Sequence, residues 1–266
     1  MSRIFFKKGG QKPSVFATLG LITACLTLLA LVIAGPIYRA GLFGDPSSDP
    51  TLFDLQFKII TVAFRLMLVA ASFTFIGLLH GRFASRARTS WRGITAALLV
   101  AISAWPLGSL FYRAENAPVL HDISTAPADQ LTFRTLPGRS YEVNRPSDIL
   151  GSRLEPGYLK KLHAAYPGLG STPLAGSVTD ATQAAAETAK KLGWSVVAQD
   201  PGAGHVEAIY SSPWFGFRSF IVINVREKDA VAFLDIRAVS EMGHTDFGIN
   251  ADLIDAFTSA LRTRVG

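Results

Sequence analysis

Three long apolar stretches occupy the first half of the chain, at about Val15–Tyr38, Ile59–His80 and Gly93–Tyr112. The first and third contain no charged residue, and the second contains only Arg65. A membrane hydrocarbon core about 30 Å thick is crossed by about 20 apolar helical residues. The pattern therefore predicts three transmembrane helices.

The first stretch could also be a cleaved secretory signal. Its apolar run is longer than the roughly 7–15 residues usual for such signals, and no clear Ala-x-Ala cleavage site follows it. We therefore favour a retained membrane anchor.

After Arg113 the long apolar runs stop, and Pro, Asp, Ser and Asn become frequent. Residues 113–147 have the composition of an extended leader, with a possible short strand at Leu131–Leu136. A helix is predicted from Ser147 to Ala165, interrupted or restarted near Pro156, and Tyr166-Pro167-Gly168 ends it. A loop then covers Gly168–Gly176.

The rest of the chain has the pattern of helix, four strands and helix. The Ala-rich helix Ser177–Leu192 has Gly193 at the position of a C-terminal cap. The last helix, Asn250–Arg262, has Asn250 as its expected N-cap. The four predicted strands, joined by short turns, are Ser195–Gln199, Val206–Tyr210, Phe217–Arg226 and Ala230–Val239.

Short connections between strands favour antiparallel neighbours. This order predicts an α+β domain in which helices cover one face of an antiparallel four-stranded sheet. The predicted organisation is thus a three-helix transmembrane region, residues 1–112, followed by an α+β domain, residues 113–266.

The net charge of +6 belongs to the apolar half. Residues 1–112 carry 11 Lys and Arg against 3 Asp and Glu, whereas residues 113–266 carry 15 against 17. Eight of these eleven basic residues lie at residues 3–12 and 82–92, beside the apolar stretches. The loop between the first two stretches instead carries three Asp residues, with only Arg39 and Lys58 at its edges. Because basic loops stay in the cytoplasm, we expect a cytoplasmic N-terminus. The protein would then be integral to the plasma (inner) membrane, with an extracytoplasmic, periplasmic C-terminal domain.

The composition also limits the possible partners. The second half carries no basic stripe, which argues against nucleic-acid binding. The single cysteine, Cys25, excludes an intramolecular disulfide and a cysteine-based metal site. We expect no metal and no cofactor, and the lipid bilayer as the first partner. Another membrane or envelope protein is a further candidate, and any small-molecule ligand is unknown.

Polar residues that could form a site concentrate in three segments. The densest runs from Asp235 to Asn250, on a strand end, a loop and a helix start, and loops held by rigid elements often carry sites. The candidate surface for a ligand or partner consists of Asn116, His121, Asp122, Glu207, Arg237, Ser240, His244, Asp246 and Asn250.

Each of these residues also has an ordinary structural use. Arg237 could pair with Asp235, Glu207 or Asp246, and Asp and Asn are common in turns and caps. A triad of Ser240, His244 and Asp246 is disfavoured, because triad members usually converge from separate elements.

A metal site is disfavoured as well. The possible ligands His121, Asp122, His205 and His244 lack the close spacing typical of such sites. We therefore assign no catalytic and no metal-ligating residue.

Three motifs stand out along the second half of the chain. They are Asn116-Ala-Pro-Val-Leu-His121-Asp122-Ile-Ser-Thr125, Tyr166-Pro167 followed by an Ala-rich helix ending in Gly193-Trp194, and the closing run Asp235-Ile-Arg237…Gly243…Asp246…Gly248…Asn250. These motifs resemble the family called domain of unknown function 1499 (DUF1499). The resemblance covers residues 113–264 and not the apolar stretches. It implies a fold and a common surface, without an established activity.

The chain departs from this family pattern at several charged positions. Ala238 and Glu241 stand where the family usually has Ser and Arg. Arg218-Ser219 replaces an acidic pair expected after Phe217, and Asn224 replaces an Arg. These departures argue against an ion-pair role for the closing motif.

Three functions remain open from the sequence. The first is a non-enzymatic accessory or interaction protein of the cell envelope. The second is a binding domain for an apolar or amphipathic ligand near the bilayer. The third is an enzyme that acts on an anionic substrate through the Arg237/Asp246 region. A converging polar cleft would favour the enzyme, and a roomy apolar pocket would favour the ligand.

Overall fold

The computed structural model describes residues 12–44, 50–84, 87–88, 90–127, 131–136, 156–241 and 245–265. The chain forms two compact units, Met1–Tyr112 and Arg113–Gly266. Each unit has its own contacts and is described separately.

The first unit is built on three helices that are long and apolar enough to cross a membrane. Helix α1 (Val15–Val32) continues into a π-helical turn at Ile33–Ile37, and α2 (Pro50–Phe83) and α3 (Trp91–Asn116) follow. The two-residue strands β1 (Lys12–Pro13) and β2 (Ala87–Arg88) pair in parallel. The prediction of three membrane-length helices is confirmed.

Helices α1 and α2 approach each other closely through small residues. A Cβ atom on Gly77 would lie 2.5 Å from the backbone nitrogen of Ala17, and one on Gly20 would lie 2.7 Å from Oγ1 of Thr74. Membrane helices commonly use small residues in this way, because close backbone approach maximises van der Waals contact. The pairing of the two helices therefore depends on both glycines.

The second unit is an α+β structure around one antiparallel sheet. Its helices are α4 (Pro156–Ala165), α5 (Val178–Lys191) and α6 (Ile249–Val265). Its strands are β3 (Asp122–Ser124), β4 (Thr172–Leu174), β5 (Ser195–Asp200), β6 (His205–Ser211), β7 (Arg218–Lys228) and β8 (Val231–Ser240). The strand order is β3-β8-β7-β6-β5, and β4 pairs with β8 alongside β3.

The antiparallel sheet is confirmed, but its predicted size is wrong, since the described residues form six strands of this sheet and not four. The two additional strands, β3 and β4, have three residues each, and β4 contains Pro173. Segments this short show no alternation of apolar and polar residues, so the sequence pattern does not reveal them.

Two further expectations concern the leader and the first helix of this unit. The strand expected at Leu131–Leu136 is absent, and these residues form an irregular segment. Helix α4 begins at Pro156. The expected helical residues 147–155 lie outside the described residues.

Helix α5 has the ends that its sequence predicts. The Ser177 side chain accepts a hydrogen bond from the backbone N–H of Asp180 at 3.1 Å, which satisfies one free donor of the first turn. Gly193 follows the helix with φ 79°, a left-handed conformation that glycine adopts without steric cost. Its N–H donates to the carbonyl oxygen of Lys190.

The helices pack against one face of the sheet. Strand residues with alternating spacing, such as Ile221, Ile223 and Leu234, join Phe257 and Leu261 of α6 in a buried apolar core. Trp194 also lies in this core and stacks on Phe257, with ring centroids 5.2 Å apart. Because strand side chains alternate between faces, the intervening residues, among them Glu207 and Arg237, point to the opposite face.

Candidate functional site

The face of the sheet opposite the helices carries buried polar side chains. Strand pairing places Val222 of β7 opposite Glu207 on one side and Arg237 on the other. All members of this polar cluster are at most 3% exposed: Asp122, His205, Glu207, Asp235 and Arg237. Buried charges are costly unless they are paired, so the partners of each group determine what the cluster can do.

Arg237 is paired with Asp122 in a two-pronged ion pair. Its Nε donates to Oδ1 of Asp122 at 2.8 Å, and its Nη2 donates to Oδ2 at 2.7 Å. The remaining nitrogen, Nη1, donates to the backbone carbonyl of Leu131 at 2.8 Å. The partner therefore differs from the three that the sequence suggested, which were Asp235, Glu207 and Asp246.

The irregular segment 131–136 covers this ion pair. The guanidinium carbon of Arg237 lies 5.5 Å from the ring centre of Phe133, within the range of a cation–π contact. Phe133 in turn packs edge-on against Phe220 of β7. These contacts keep water away from the guanidinium group and fix the segment on the sheet.

Glu207 holds the other end of the same segment. Its carboxylate accepts hydrogen bonds from the backbone N–H groups of Arg134, Thr135 and Leu136. It also lies 2.9 Å from Nε2 of His205, whose Nδ1 is 2.8 Å from Oδ1 of Asn224.

The hydrogen bonds to Glu207 keep it ionised. Burial alone would raise the pKa of its carboxyl group, but the bonds from His205 and the three backbone N–H groups outweigh burial and lower the pKa. Glu207 is thus a buried anion that anchors a loop.

Asp235 is satisfied within the second unit as well. Its Oδ2 accepts a hydrogen bond from Nε of Arg226 at 2.9 Å, and its Oδ1 accepts one from the hydroxyl of Ser171. A longer contact of 3.4 Å joins Oδ1 to Thr125. This aspartate therefore ties β8 to β7 and to the segments before β4 and after β3.

The start of α6 forms a second polar cluster at one end of the sheet. Oδ1 of Asp246 accepts a hydrogen bond from the N–H of Gly248 at 2.8 Å, and Oδ2 accepts one from the N–H of Asn250 at 3.0 Å. The capping role that the sequence assigned to Asn250 therefore belongs to Asp246. Burial raises the pKa of Asp246 to about 6, although the backbone hydrogen bonds act in the opposite direction.

Asn250 lies inside α6 and uses its side chain for a tertiary contact. Its Nδ2 donates to the backbone carbonyl of His121 at 2.9 Å and to the hydroxyl of Ser240 at 3.1 Å. The N–H of Ser240 also donates to the carbonyl of His121. This arrangement connects the leader, the end of β8 and the start of α6.

Arg218 and Glu241 form an ion pair that the sequence did not reveal. Nε of Arg218 donates to Oε2 of Glu241 at 2.7 Å, and Nη2 donates to Oε1. Both positions depart in charge from the family pattern, and they lie against each other. The expectation that the closing motif lacks an ion-pair role is therefore wrong, because Glu241 pairs with Arg218 and Arg237 pairs with Asp122.

The predicted site residues thus separate into distinct places. Asp122, Glu207 and Arg237 share the buried polar face, whereas Ser240, Asp246, Asn250 and the backbone of His121 meet at the end of the sheet. Asn116 is exposed at the end of α3. His244 lies outside the described residues. Arg226 and Ser171, the partners of Asp235, were not predicted from the sequence. They lie in separate segments of the chain, so no short sequence motif links them to Asp235.

A groove with a volume of about 410 Å³ lies between the residues after α4 and the exposed side of α6. Its lining mixes apolar residues with hydroxyl and charged groups, including Tyr166, Asp252, Asp255 and Arg262. Burial, together with the negative charges of Asp246 and Asp252, raises the pKa of Tyr166 to about 12, so its hydroxyl stays protonated at neutral pH. The groove does not include Arg237 or Glu207.

One family model matches this chain over residues 122–261, and its description is "Protein of unknown function (DUF1499)". The matched region begins at Asp122, the partner of Arg237, and ends at Leu261 in the core face of α6. No curated protein matches the chain significantly.

Proposed function

Because this chain belongs to the DUF1499 family, whose description assigns no activity, we propose a function from the structure of the family region itself. The protein is a membrane-anchored, non-enzymatic accessory protein. Its three apolar helices hold the α+β unit on the outer side of the plasma membrane, where that unit binds another envelope protein.

A non-enzymatic role is supported by the partners of the buried charged side chains, which all lie within the α+β unit. Arg237 is 3% exposed and donates to Asp122 and Leu131, and Glu207 is fully buried and accepts from a backbone segment. Catalytic groups must contact the substrate. An arginine covered by Phe133 and neutralised by Asp122 does not meet that requirement.

The membrane anchor rests on the lengths and hydropathy of the helices. The candidate spans are Val15–Ile37, Asp54–Phe83 and Trp91–Asn116, of 23, 30 and 26 residues. Clusters of Lys and Arg precede the first span and separate the second from the third, which favours a cytoplasmic position for both. Three crossings would then carry the α+β unit to the outer side.

The two alternative functions receive less support. The groove beside α6 is open and has a mixed polar lining, whereas sites for apolar ligands are mostly apolar and enclosed. An enzyme acting through Arg237 and Asp246 would need the two side chains together. They lie instead in separate clusters, Arg237 on the buried face and Asp246 at the helix start.

Native mass spectrometry and cross-linking on the full-length protein test this proposal together. The protein is released from its own membrane in mild detergent and weighed before and after delipidation. We expect no small-molecule mass that persists through delipidation, and a discrete cross-linked protein adduct when the reagent is applied to intact membranes. A reproducible bound small molecule, or an adduct-free protein, would contradict the proposal.

A further inference from the structure

The hairpin loop between β6 and β7 is apolar and aromatic. It comprises Ser211–Phe217 and contains Pro213, Trp214, Phe215 and Phe217 but no charged residue. Trp214 is 46% exposed. We call this segment the aromatic loop.

The aromatic loop has a defined conformation. The N–H of Ser212 donates to the carbonyl of Phe217 at 2.8 Å, and the hydroxyl of Ser212 accepts from the N–H of Phe217 at 2.9 Å. Gly216 adopts φ 68°, which closes the turn without steric cost. The rings of Phe215 and Phe217 stack 5.4 Å apart on either side of Gly216.

The aromatic loop stands at the end of the sheet where the chain enters the second unit from its last apolar helix. Arg113, the first residue of this unit, pairs with Asp252 in the first turn of α6 at 2.7 Å. In the same turn Asn250 contacts Ser240, and Ser240 is paired with Ser219 at the base of the aromatic loop.

Two further observations place Arg113 and the aromatic loop at the same end. Burial raises the pKa of Tyr210, one residue before the aromatic loop, and the positive charge of Arg113 acts to lower it. Val119 is 69% exposed, and its neighbour Leu120 accepts a hydrogen bond from the N–H of Asp246 at this end of the sheet. An exposed aliphatic residue and the exposed tryptophan therefore lie at the same end of the sheet.

We propose that the aromatic loop docks on the lipid bilayer, with Trp214 seated at the headgroup level of the membrane that holds the three apolar helices. This inference rests on the membrane anchoring in the proposed function, but not on which side of the membrane the unit faces. It would add a second attachment of the α+β unit to the membrane.

The chemistry of the aromatic loop favours lipid over a protein partner. Tryptophan is enriched at membrane–water interfaces, because its ring is apolar while its N–H needs a polar partner. The loop carries no charge that would select a protein surface, and the nearby Arg218 is already paired with Glu241. Because the second unit is covalently connected to α3 and Arg113 pairs with Asp252 at this end of the sheet, even a weak preference of the loop for lipid would be sufficient.

Quenching of tryptophan fluorescence by brominated lipid tests the proposal on the full-length protein in nanodiscs. The chain contains four tryptophans, of which Trp91 and Trp105 lie in α3. Replacing both with Phe leaves Trp214 and the core residue Trp194, which is 4% exposed and serves as an internal standard. The matched control adds Trp214→Phe to this background and retains Trp194 alone.

We expect brominated phosphatidylcholine to remove most of the Trp214 emission and to leave the control variant unchanged. Equal emission in brominated and ordinary lipid would overturn the proposal. A second outcome would also overturn the proposal, in favour of contact with a second copy of the chain. In that outcome neither brominated lipid nor aqueous acrylamide quenches Trp214, but acrylamide does quench it when each disc holds one protein.

A variant that retains only Trp91 and Trp105, with Trp194→Phe and Trp214→Phe, separates this inference from the proposed function. There, bromine must quench Trp91 and Trp105 if α3 crosses the bilayer. Quenching of these two without quenching of Trp214 would reject only the docking of the aromatic loop. Absence of quenching at all three would also reject the membrane anchor.

Discussion

Arg237 and Asp122 lie 115 positions apart in the chain and face each other as a parallel fork, with N–O distances of 2.8 and 2.7 Å. The pair joins β8 to the edge strand β3, while the third nitrogen of Arg237 holds Leu131 of the covering segment. Two carboxylate oxygens matched to two guanidinium nitrogens make a short, directional, charge-assisted contact. This ion pair therefore stabilises the attachment of β3 and the residues after it to the rest of the sheet.

Removing one member of this pair should destabilise the second unit strongly. Arg237→Ala leaves the buried carboxylate of Asp122 without its partner, which typically costs about 3–5 kcal/mol. We expect the melting temperature of the unit to fall by on the order of 10 °C. The readout is thermal unfolding of the full-length protein in detergent, followed by the emission of the core residue Trp194 in a background that carries Trp91→Phe, Trp105→Phe and Trp214→Phe.

A double variant and a surface variant serve as controls for this prediction. Arg237→Met combined with Asp122→Leu removes both charges and should recover much of the lost stability, since no unpaired charge remains. Arg262→Ala, on the exposed side of α6, should leave the melting temperature nearly unchanged. A stable Arg237→Ala protein that fails to bind its partner would show that Arg237 serves binding and not folding.

Glu207→Gln should release the covering segment without unfolding the helix-packed core. An amide has one acceptor oxygen, and its NH₂ group would face backbone N–H groups that now donate to the carboxylate. We expect faster hydrogen exchange at residues 134–136 and unchanged exchange in α5. Glu227→Gln, at an exposed position on β7, is the matched control. Equal protection of residues 134–136 in both variants would contradict the anchoring role of Glu207.

The ion pair of Arg218 and Glu241 predicts that exchanging the two charges restores stability. Arg218→Glu and Glu241→Arg should each destabilise the unit, because each brings two like charges together. The double exchange should recover about 1 kcal/mol relative to the sum of the single effects. Unfolding of the four proteins in urea gives this coupling energy. A value near zero would show that the contact contributes nothing to folding.

Asp246 predicts a specific pH dependence of stability. Its pKa rises from 3.8 to about 6 on folding, mainly because of burial. Between these two pH values Asp246 is protonated in the folded state and ionised in the unfolded state. The contribution of Asp246 to the free energy of unfolding therefore falls as the pH rises through this window, and it stays low above about pH 6.

The variant Asp246→Asn removes this titration. The difference in stability between the variant and the original protein should shift by about 2–3 kcal/mol in favour of the variant as pH rises from about 4 to about 7. Taking the difference at each pH cancels the constant effect of losing one backbone hydrogen bond. A difference that does not change with pH would contradict the raised pKa.

The sequence predicted those elements whose pattern is local. The three apolar stretches, the Ala-rich α5 with Ser177 and Gly193 at its ends, and the four longer strands follow from short-range periodicity. The sequence did not predict β3 and β4, because three residues are too few to show the alternation of apolar and polar positions that marks a strand. Their pairing is instead decided by their position against the free edge of β8.

The partners within the polar clusters could not be derived in the same way. Sequence proximity suggested Asp235 for Arg237, but both residues occupy the same face of one strand, and each bonds to a different element. The departures at positions 218 and 241 looked like two independent losses of charge until the structure placed them in contact. Long-range complementarity of this kind follows from strand register, which a single sequence does not determine.

The location of the second unit is the central claim, and paired reporter fusions test it most directly. Alkaline phosphatase, which is active only outside the cytoplasm, and green fluorescent protein, which fluoresces in the cytoplasm in this assay, are each fused after Gly266. The same reporters after Arg88 serve as the opposite-side control. We expect phosphatase activity without fluorescence after Gly266, and the reverse after Arg88. Fluorescence without phosphatase activity after Gly266 would place the α+β unit in the cytoplasm and contradict the account.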